Sequence, residues 1–582
     1  MPEPEMKEEE FDIKKLFFPL TNLKAIHWII VIGIIVYANM LFNGFVWDDI
    51  SYILLNPDVH TLNILYLFGS NHFNTIGQYR PIPAVYFSVL YSLFSDNTFF
   101  YHLIQLVLHI TNVILLYILF KYFFNKKISY FLSLVFFVHP MQVESVSYIS
   151  QTPSILFFSF GIVALLLYKK REGNIKTSII IFTLLLLSVL TKESGILFAA
   201  QLYLWQILYK KRIIMSEYVY GICMGFIYLF FRLVIGGITS YKSVVVPIDT
   251  LSLSQRILNI PAIIFYYLKT FFYPQQLVVD QVWIVKSTDF SSFYLPFICI
   301  SIFFVLLLIF GIYLAKKKHS LFKAYLYFLV WFVLGLFPYL QILPLDMTVA
   351  DRWFYYPMVG LLGIIGVLLQ LFTVKNEIYK KTIIVIGVII LVLLSTRTII
   401  RNMNWGNAYT LFTHDSRVLD NYNIEANLSS EYRTEGNYYE AIYHMQKSVT
   451  FLPYETNLTN LGVLYEEGDK FNLARRYYLL AINAKSLWYP IHQHDVGTYI
   501  NIITFFIRHN DLINAKKYET LALQDYPDNQ DIFLMNAFLE EKLGNHQEAI
   551  NAAQKANQLG QTNYSEEIYL NLINNKSIEG YL

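Results

Sequence analysis

Up to about residue 400, apolar residues run in stretches near twenty residues long, broken by short polar segments. Beyond that point the pattern changes to short amphipathic segments that continue to residue 582. A helix needs about 20 apolar residues to span a bilayer. Eleven spans are predicted, near 24–42, 101–121, 128–140, 154–168, 177–191, 194–209, 216–234, 293–315, 322–343, 353–373 and 381–399. The basic loops KYFFNKK, YKKREGNIK, YKKR, AKKKH and VKNEIYKK set orientation, because Lys and Arg accumulate on the cytoplasmic side. Loops 43–100, 139–153, 191–194 and 344–352 then fall on the opposite side, together with everything after residue 400. Two further apolar stretches, 80–94 and 256–273, are expected to be re-entrant or surface-lying helices. Counting either one as a crossing would put downstream basic loops on the wrong side. The acidic start MPEPEMKEEEFDIKK reads as a cytosolic tail, 1–23, ahead of a retained first span.

The segment 401–582 repeats itself. TEGNYYEAIYHMQKSVTFLP, EEGDKFNLARRYYLLAINA, IRHNDLINAKKYETLALQDYP and KLGNHQEAINAAQKANQLG share a turn residue, at Gly436, Gly468, Asn510 and Gly544. They also share a small residue in the second helix, at Ala441, Ala474, Ala515 and Ala549. This spacing fits the 34-residue tetratricopeptide period, with one insertion near SLWYPIHQHD. Gly or Asn suits the left-handed turn, and alanine lets paired helices approach closely. The fold class is therefore all-α: a polytopic membrane helix bundle, 24–400, followed by a tetratricopeptide-repeat α-solenoid, 401–582.

Composition agrees with a membrane bundle. Of 582 residues, 55% are hydrophobic and only 15% are charged, against about 25% charged in a soluble domain. A net charge of +2, with Lys and Arg clustered in short loops, gives no support to nucleic-acid binding. The two cysteines lie in apolar segments, so no disulfide framework is expected. The histidines form no metal-ligand spacing, and HQHD, 492–495, reads as polar surface sequence. Asn427, Asn457 and Asn563 head N-x-Ser/Thr triplets that are glycosylation acceptors only in a eukaryotic lumen.

Chemistry is expected where ionisable groups interrupt the apolar pattern on the outer side. Five clusters qualify: Asp48 and Asp49 in GFVWDDISYILLNPDVH; Arg80 in QYRP; His139, Glu144 and Gln151 in FFVHPMQVESVSYISQTPS; Lys192 and Glu193 in VLTKESGI; and Asp351 and Arg352 in TVADRWFYYPMVGL. Each alone has an ordinary reading, such as a solvated acidic pair, a helix-ending proline or a turn salt bridge. Together, on one side of a membrane, they suggest one site with acidic and basic halves. A carboxylate can act as general base toward a hydroxyl, and a cation can stabilise a departing phosphate. On this reading Asp48 or Asp49 is the base, and Arg352, with Arg80 and Lys192, holds a lipid phosphate. The aromatic run Trp353–Tyr356 suits the path of a lipid tail.

Taken in order, FVWDDISYILLNPDV, YRPI, YHLIQLVLHITNVILLYIL, HPMQVESVSYIS, TKESGI, ADRWFYYPMVGL and NWGNAYTLF, with the repeats, resemble the transmembrane-and-tetratricopeptide-repeat O-mannosyltransferase family and its bacterial relatives. These belong to the GT-C superfamily. The resemblance implies a membrane enzyme that transfers a sugar, mannose, from a polyprenyl-phosphate donor to a hydroxyl of a protein or other acceptor on the non-cytosolic side. The acceptor protein would bind the repeats. It matches the family's acidic pair to Asp48 and Asp49, its His-Pro…Glu element to His139, Pro140 and Glu144, and its basic residue to Arg352. A divalent cation beside the acidic motif is left open. The compartment implied is a bacterial inner membrane, or the endoplasmic reticulum in a eukaryote. One tract departs: where relatives commonly carry Arg-Ala-Asp or Arg-Lys-Asp after YIS, this chain has Gln151-Thr152-Pro153-Ser154. The rival reading is a non-catalytic membrane-anchored scaffold whose repeats gather envelope proteins. A transporter is a weaker third reading, since no inverted repeat is visible.

Overall fold

The computed structural model describes residues 20–69, 78–170, 174–210, 215–237, 246–317, 319–372, 376–484 and 494–582. The acidic tail to residue 19, parts of the basic loops and most of the repeat insertion, including His492, lie outside the described residues. The chain divides into two compact units, Met1–His414 and Asp415–Leu582.

The first unit is a helical bundle. Eight of its described helices are long and apolar enough to cross a membrane: Asn22–Phe42, Thr98–Phe120, Ile149–Lys169, Glu217–Ile235, Phe290–Lys316, Phe322–Tyr339, Asp351–Leu371 and Glu377–Asn404. This makes the protein an integral multi-pass membrane protein. The remaining predicted spans are helical but short. Lys126–Val138 has 13 residues, Ile175–Thr191 has 17 and Ile196–Tyr209 has 14. At 1.5 Å per residue, a 13-residue helix covers roughly 20 Å of a hydrocarbon layer about 30 Å thick. Among the described residues the eleven predicted spans are thus eight long helices and three short ones. The reason is local: Pro140 opens a new turn after His139, and Lys192–Gly195 breaks the run between the other two. The stretch from Leu132 through Ser150 is buried throughout, so the predicted loop 139–153 lies largely inside the bundle. The stretches 80–94 and 256–273 form the helices Pro81–Phe94 and Leu253–Phe272.

Asparagine caps start several helices at loops with basic residues. Asn125 accepts from the Ile128 amide at 3.1 Å, Asn174 from Lys176 at 2.9 Å and Asn376 from Ile378 at 2.8 Å. Inside the bundle, polar side chains join helices where lipid gives little driving force for packing. Asn112 donates to the Ile155 carbonyl at 3.0 Å and to the Tyr355 hydroxyl at 3.2 Å, and that hydroxyl also meets His109 at 2.9 Å. Gly360 lets helix 355–371 lie directly on helix 322–336, since a Cβ there would sit 2.4 Å from the Phe332 amide nitrogen.

The second unit is a stack of helix pairs: 422–434 with 438–451, 455–467 with 471–483, 496–508 with 512–525, and 530–543 with 546–559, followed by 563–573. Ala441, Ala474, Ala515 and Ala549 are all fully buried. Each turn closes with the same amide-to-carbonyl bond across five residues: Asn437 to Tyr432, Lys470 to Tyr465, Asp511 to Phe506 and Asn545 to Glu540, at 2.8–2.9 Å. This six-to-one bond needs a left-handed residue just before its donor. Gly436, Asn510 and Gly544 fill that place, but in the second repeat it is Asp469, at φ +56°, and not Gly468, at φ −90°. The predicted turn residue there is off by one. Of the triplets, Asn457 is buried and donates to Ser448 at 2.6 Å, which closes it to a glycan in the folded unit.

Candidate active site

The four predicted outer loops meet inside the first unit. The segment after the first span is pinned to the end of the last one. Asn43 donates to the Asn402 carbonyl at 3.0 Å and the Gly44 amide to the Gly406 carbonyl at 2.9 Å. Asn402 in turn accepts from Ser147 at 2.7 Å. Trp47 takes the left-handed region, at φ +57°, a costly conformation for a bulky side chain. Its ring stacks on Tyr148 at 5.6 Å, and Tyr148 stacks on Trp405 at 5.2 Å. The NWG motif therefore forms the floor under the acidic pair.

The two acids do different work. Asp49 is 1% exposed and both of its oxygens are bonded. One accepts from the Ser150 amide at 2.6 Å and hydroxyl at 2.5 Å, the other from the Val46 amide at 3.1 Å. Burial pushes its carboxyl up to about 7 against those hydrogen bonds, with Asp48 adding to the rise. Asp48 is half-buried, and its Oδ2 accepts from the Tyr148 hydroxyl at 2.6 Å. Among the described residues no hydrogen bond reaches its Oδ1. Burial raises the Asp48 carboxyl above the usual carboxylate range, outweighing the Tyr148 hydrogen bond and the pull of Arg352, while Asp346 pushes the same way as burial.

The bases arrive from the other loops. Arg352 and Glu144, both nearly fully buried, form an ion pair through the guanidinium. The Arg352 amide donates to the second Glu144 oxygen at 3.0 Å. Asp346 stands 3.8 Å from the same guanidinium. Arg80 binds one oxygen of Glu193 at 3.0 and 2.7 Å. Burial works against the Glu193 carboxylate, yet Arg80 holds it below its ordinary range. Lys192 donates to the Ser154 hydroxyl at 2.9 Å. Its turn neighbour Glu193 faces Arg80, so the turn salt bridge read from the sequence is replaced by two separate interactions.

Asp48, Glu144, Arg352, Lys192, Arg80 and Glu193 thus belong to one cluster. Three other candidates do not join it directly. His139 donates from Nε2 to the Phe271 carbonyl at 2.9 Å, accepts the Met141 amide at Nδ1, and stacks on Phe271. Both ring nitrogens are engaged by the backbone. Asp351 accepts from Tyr266 at 2.7 Å, on the helix 253–272 side. Gln151 is half-buried beside Ser150, with no side-chain hydrogen bond among the described residues. Sequence reasoning missed Tyr148, Ser154 and Asp346. Asp346 carried a usable signal, an acid in the outer loop five residues before Asp351.

No family model matches the chain. Over 600 aligned positions it is 25% identical to protein O-mannosyl-transferase TMTC3 of Mus musculus, covering 93% of this chain and 64% of that protein. The Homo sapiens protein O-mannosyl-transferase TMTC3 is likewise 25% identical, with 93% of this chain and 65% of that protein covered. Protein O-mannosyl-transferase F38B6.6 of Caenorhabditis elegans is 25% identical over 441 positions, 71% of this chain and 62% of that protein. The chain spans less than two thirds of the length of these relatives.

Proposed function

We propose that this chain, a relative of the protein O-mannosyl-transferases, is a membrane glycosyltransferase that moves a sugar, mannose, from a polyprenyl-phosphate donor to an acceptor hydroxyl on the non-cytosolic side. The observation that carries this reading is the convergence of four separate loops. They bring a carboxylate with a raised pKa, Asp48, into one buried cluster with Arg352, Lys192 and Arg80. Asp48 is the base. Its Oδ2 is fixed by Tyr148, so Oδ1 takes the proton as the acceptor oxygen bonds to the sugar's anomeric carbon. The bond from that carbon to the phosphate oxygen breaks, and the cations stabilise the charge left on the lipid phosphate. The proton then leaves Asp48 to water. Asp49 anchors the motif by holding Ser150 and Val46. The repeat unit receives the acceptor protein on the face lined by its first helices.

In reconstituted vesicles supplied with a polyprenyl phosphomannose and an acceptor protein, Asp48→Asn is expected to lower transfer by about 100- to 10,000-fold. Its thermal unfolding should be unchanged. Full transfer by the variant removes Asp48 as the base, and a scaffold predicts no transfer by any form. Orientation is tested separately. With Cys223 and Cys299 replaced, single cysteines at the exposed positions Tyr439 and Ile513 should react with an impermeant thiol reagent in spheroplasts. Reaction only after permeabilisation puts the repeats on the cytosolic side and separates them from the site.

A further inference from the structure

Of the three cations in the cluster, two are already neutralised. Arg80 is clamped on Glu193, and Arg352 on Glu144 by both its guanidinium and its backbone amide. Lys192 differs. It is only 6% exposed, its hydrogen bond goes to a neutral hydroxyl, Ser154, and no carboxylate among the described residues lies within ion-pair distance. Taking an ammonium out of water is costly unless an anion compensates it. The helix 175–191 ends at this residue, and its terminal carbonyls offset only part of that cost.

Arg80 stands ahead of helix 81–94, Arg352 at the head of helix 355–371, Asp346 in the loop before it, and Glu193 on Lys192's own turn. Arg232, from the 217–235 segment, bears on Glu193. The helix 152–170 contributes Ser154 near Lys192, with its charged residues at the far end, and helix 196–209 carries no charge. A buried cation left without a counter-ion, beside a hydroxyl whose proton is available to donate, is built for a small oxyanion.

We propose that Lys192 is the anion receptor of the site, that the phosphodiester phosphate of a lipid-linked sugar becomes its missing counter-ion, and that Ser154 donates the second hydrogen bond. This rests on the glycosyltransferase reading for the ligand's class. It reassigns the phosphate from Arg352, which serves with Arg80 as a positive frame held in place by its own acid. Burial, followed by the repulsion of Arg80 and Arg352, brings the Lys192 ammonium down to about 7. Anion capture above neutrality therefore draws a proton onto Lys192. A phosphodiester does not titrate near neutral pH, so the proton is assignable to the protein.

The test is calorimetric titration of the detergent-purified full chain with a short-chain polyprenyl phosphomannose, at pH 8 and pH 6, in buffers of different ionisation enthalpy. The wild type should take up close to one proton per ligand at pH 8 and much less at pH 6. Lys192→Met should bind about 10- to 100-fold more weakly with no uptake, and Lys192→Arg should bind well, also without uptake. Lys192→Met removes a buried charge and should melt at or above the wild type, with the gap widest below pH 7 and closing as pH rises. Binding without proton uptake in the wild type at pH 8 overturns the proposal, as does no binding at all. Uptake that survives in Lys192→Met assigns the proton to Asp48 or Asp49 and overturns it too. Donor binding that follows this pattern without any sugar transfer would keep Lys192 as receptor and remove the transferase reading. Transfer with an unaffected Lys192→Met would do the reverse.

Discussion

In the repeat unit, Glu425 is fully buried and meets His444 at 2.6 Å and Lys447 at 2.9 Å. Lys516 reaches Glu540 at 2.6 Å and Glu519 at 3.2 Å. Glu425 is matched within its own helix pair, and Lys516 ties the third pair to the fourth. The membrane unit holds its charges deeper and matches them incompletely. Glu144 with Arg352 and Glu193 with Arg80 are complete pairs. Asp49 has only hydrogen-bond donors, Asp48 has a tyrosine, and Lys192 has a serine. Uncompensated charge in a low-dielectric interior is a standing cost. A fold keeps it where another molecule completes the balance. The comparison separates charges matched within the fold from charges that are not.

That division can be broken, beginning with its largest expected effect. Glu144→Ala strands a buried guanidinium and should cost about 3–5 kcal/mol, read as a lower unfolding midpoint in detergent. A change below about 1 kcal/mol would show that Arg352 finds Asp346 or water instead, and that the pair is not structural.

A second effect is read from pH. Asp49 is raised by burial to about 7, so the folded state holds its proton more tightly than the unfolded chain. Stability should therefore fall as pH rises from about 4 to about 7, with a slope of at most about 1.4 kcal/mol per pH unit from this group. Asp49→Asn should flatten that slope, even though its amide meets the Val46 N–H poorly and lowers stability overall. An unchanged slope would assign the pH dependence to other carboxyls.

The smallest effect lies in the repeat unit. Asp469 pays a steric penalty at φ +56° that glycine does not, so Asp469→Gly should raise repeat-unit stability by about 0.5–1 kcal/mol. Gly468→Ala should be close to neutral by comparison, because Gly468 has an ordinary φ. The opposite ranking would restore Gly468 as the turn residue.

Much of this protein was legible in the residue order. Apolar stretches placed the helices because burying a backbone in lipid leaves helix as the way to satisfy its hydrogen bonds. The recurring turns and alanines gave the repeats, since each unit must close the same bond and pack the same face. The interrupting charges at Asp48, Arg80, Glu144, Lys192 and Arg352 marked the segments that meet in one cluster, because ionisable groups in apolar surroundings usually face the interior. Pairing was beyond its reach. Nothing in TKES tells that Lys192 turns to Ser154 while Glu193 turns to Arg80, more than a hundred residues away in the chain. Nothing in WDD tells that one aspartate serves the backbone and the next meets Tyr148. That the loop 139–153 is buried inside the bundle also follows from packing. Periodicity is a local property that a chain carries with it. The partner of a charge is decided only when distant segments close on it, and here that closure determines which cation is left without an acid.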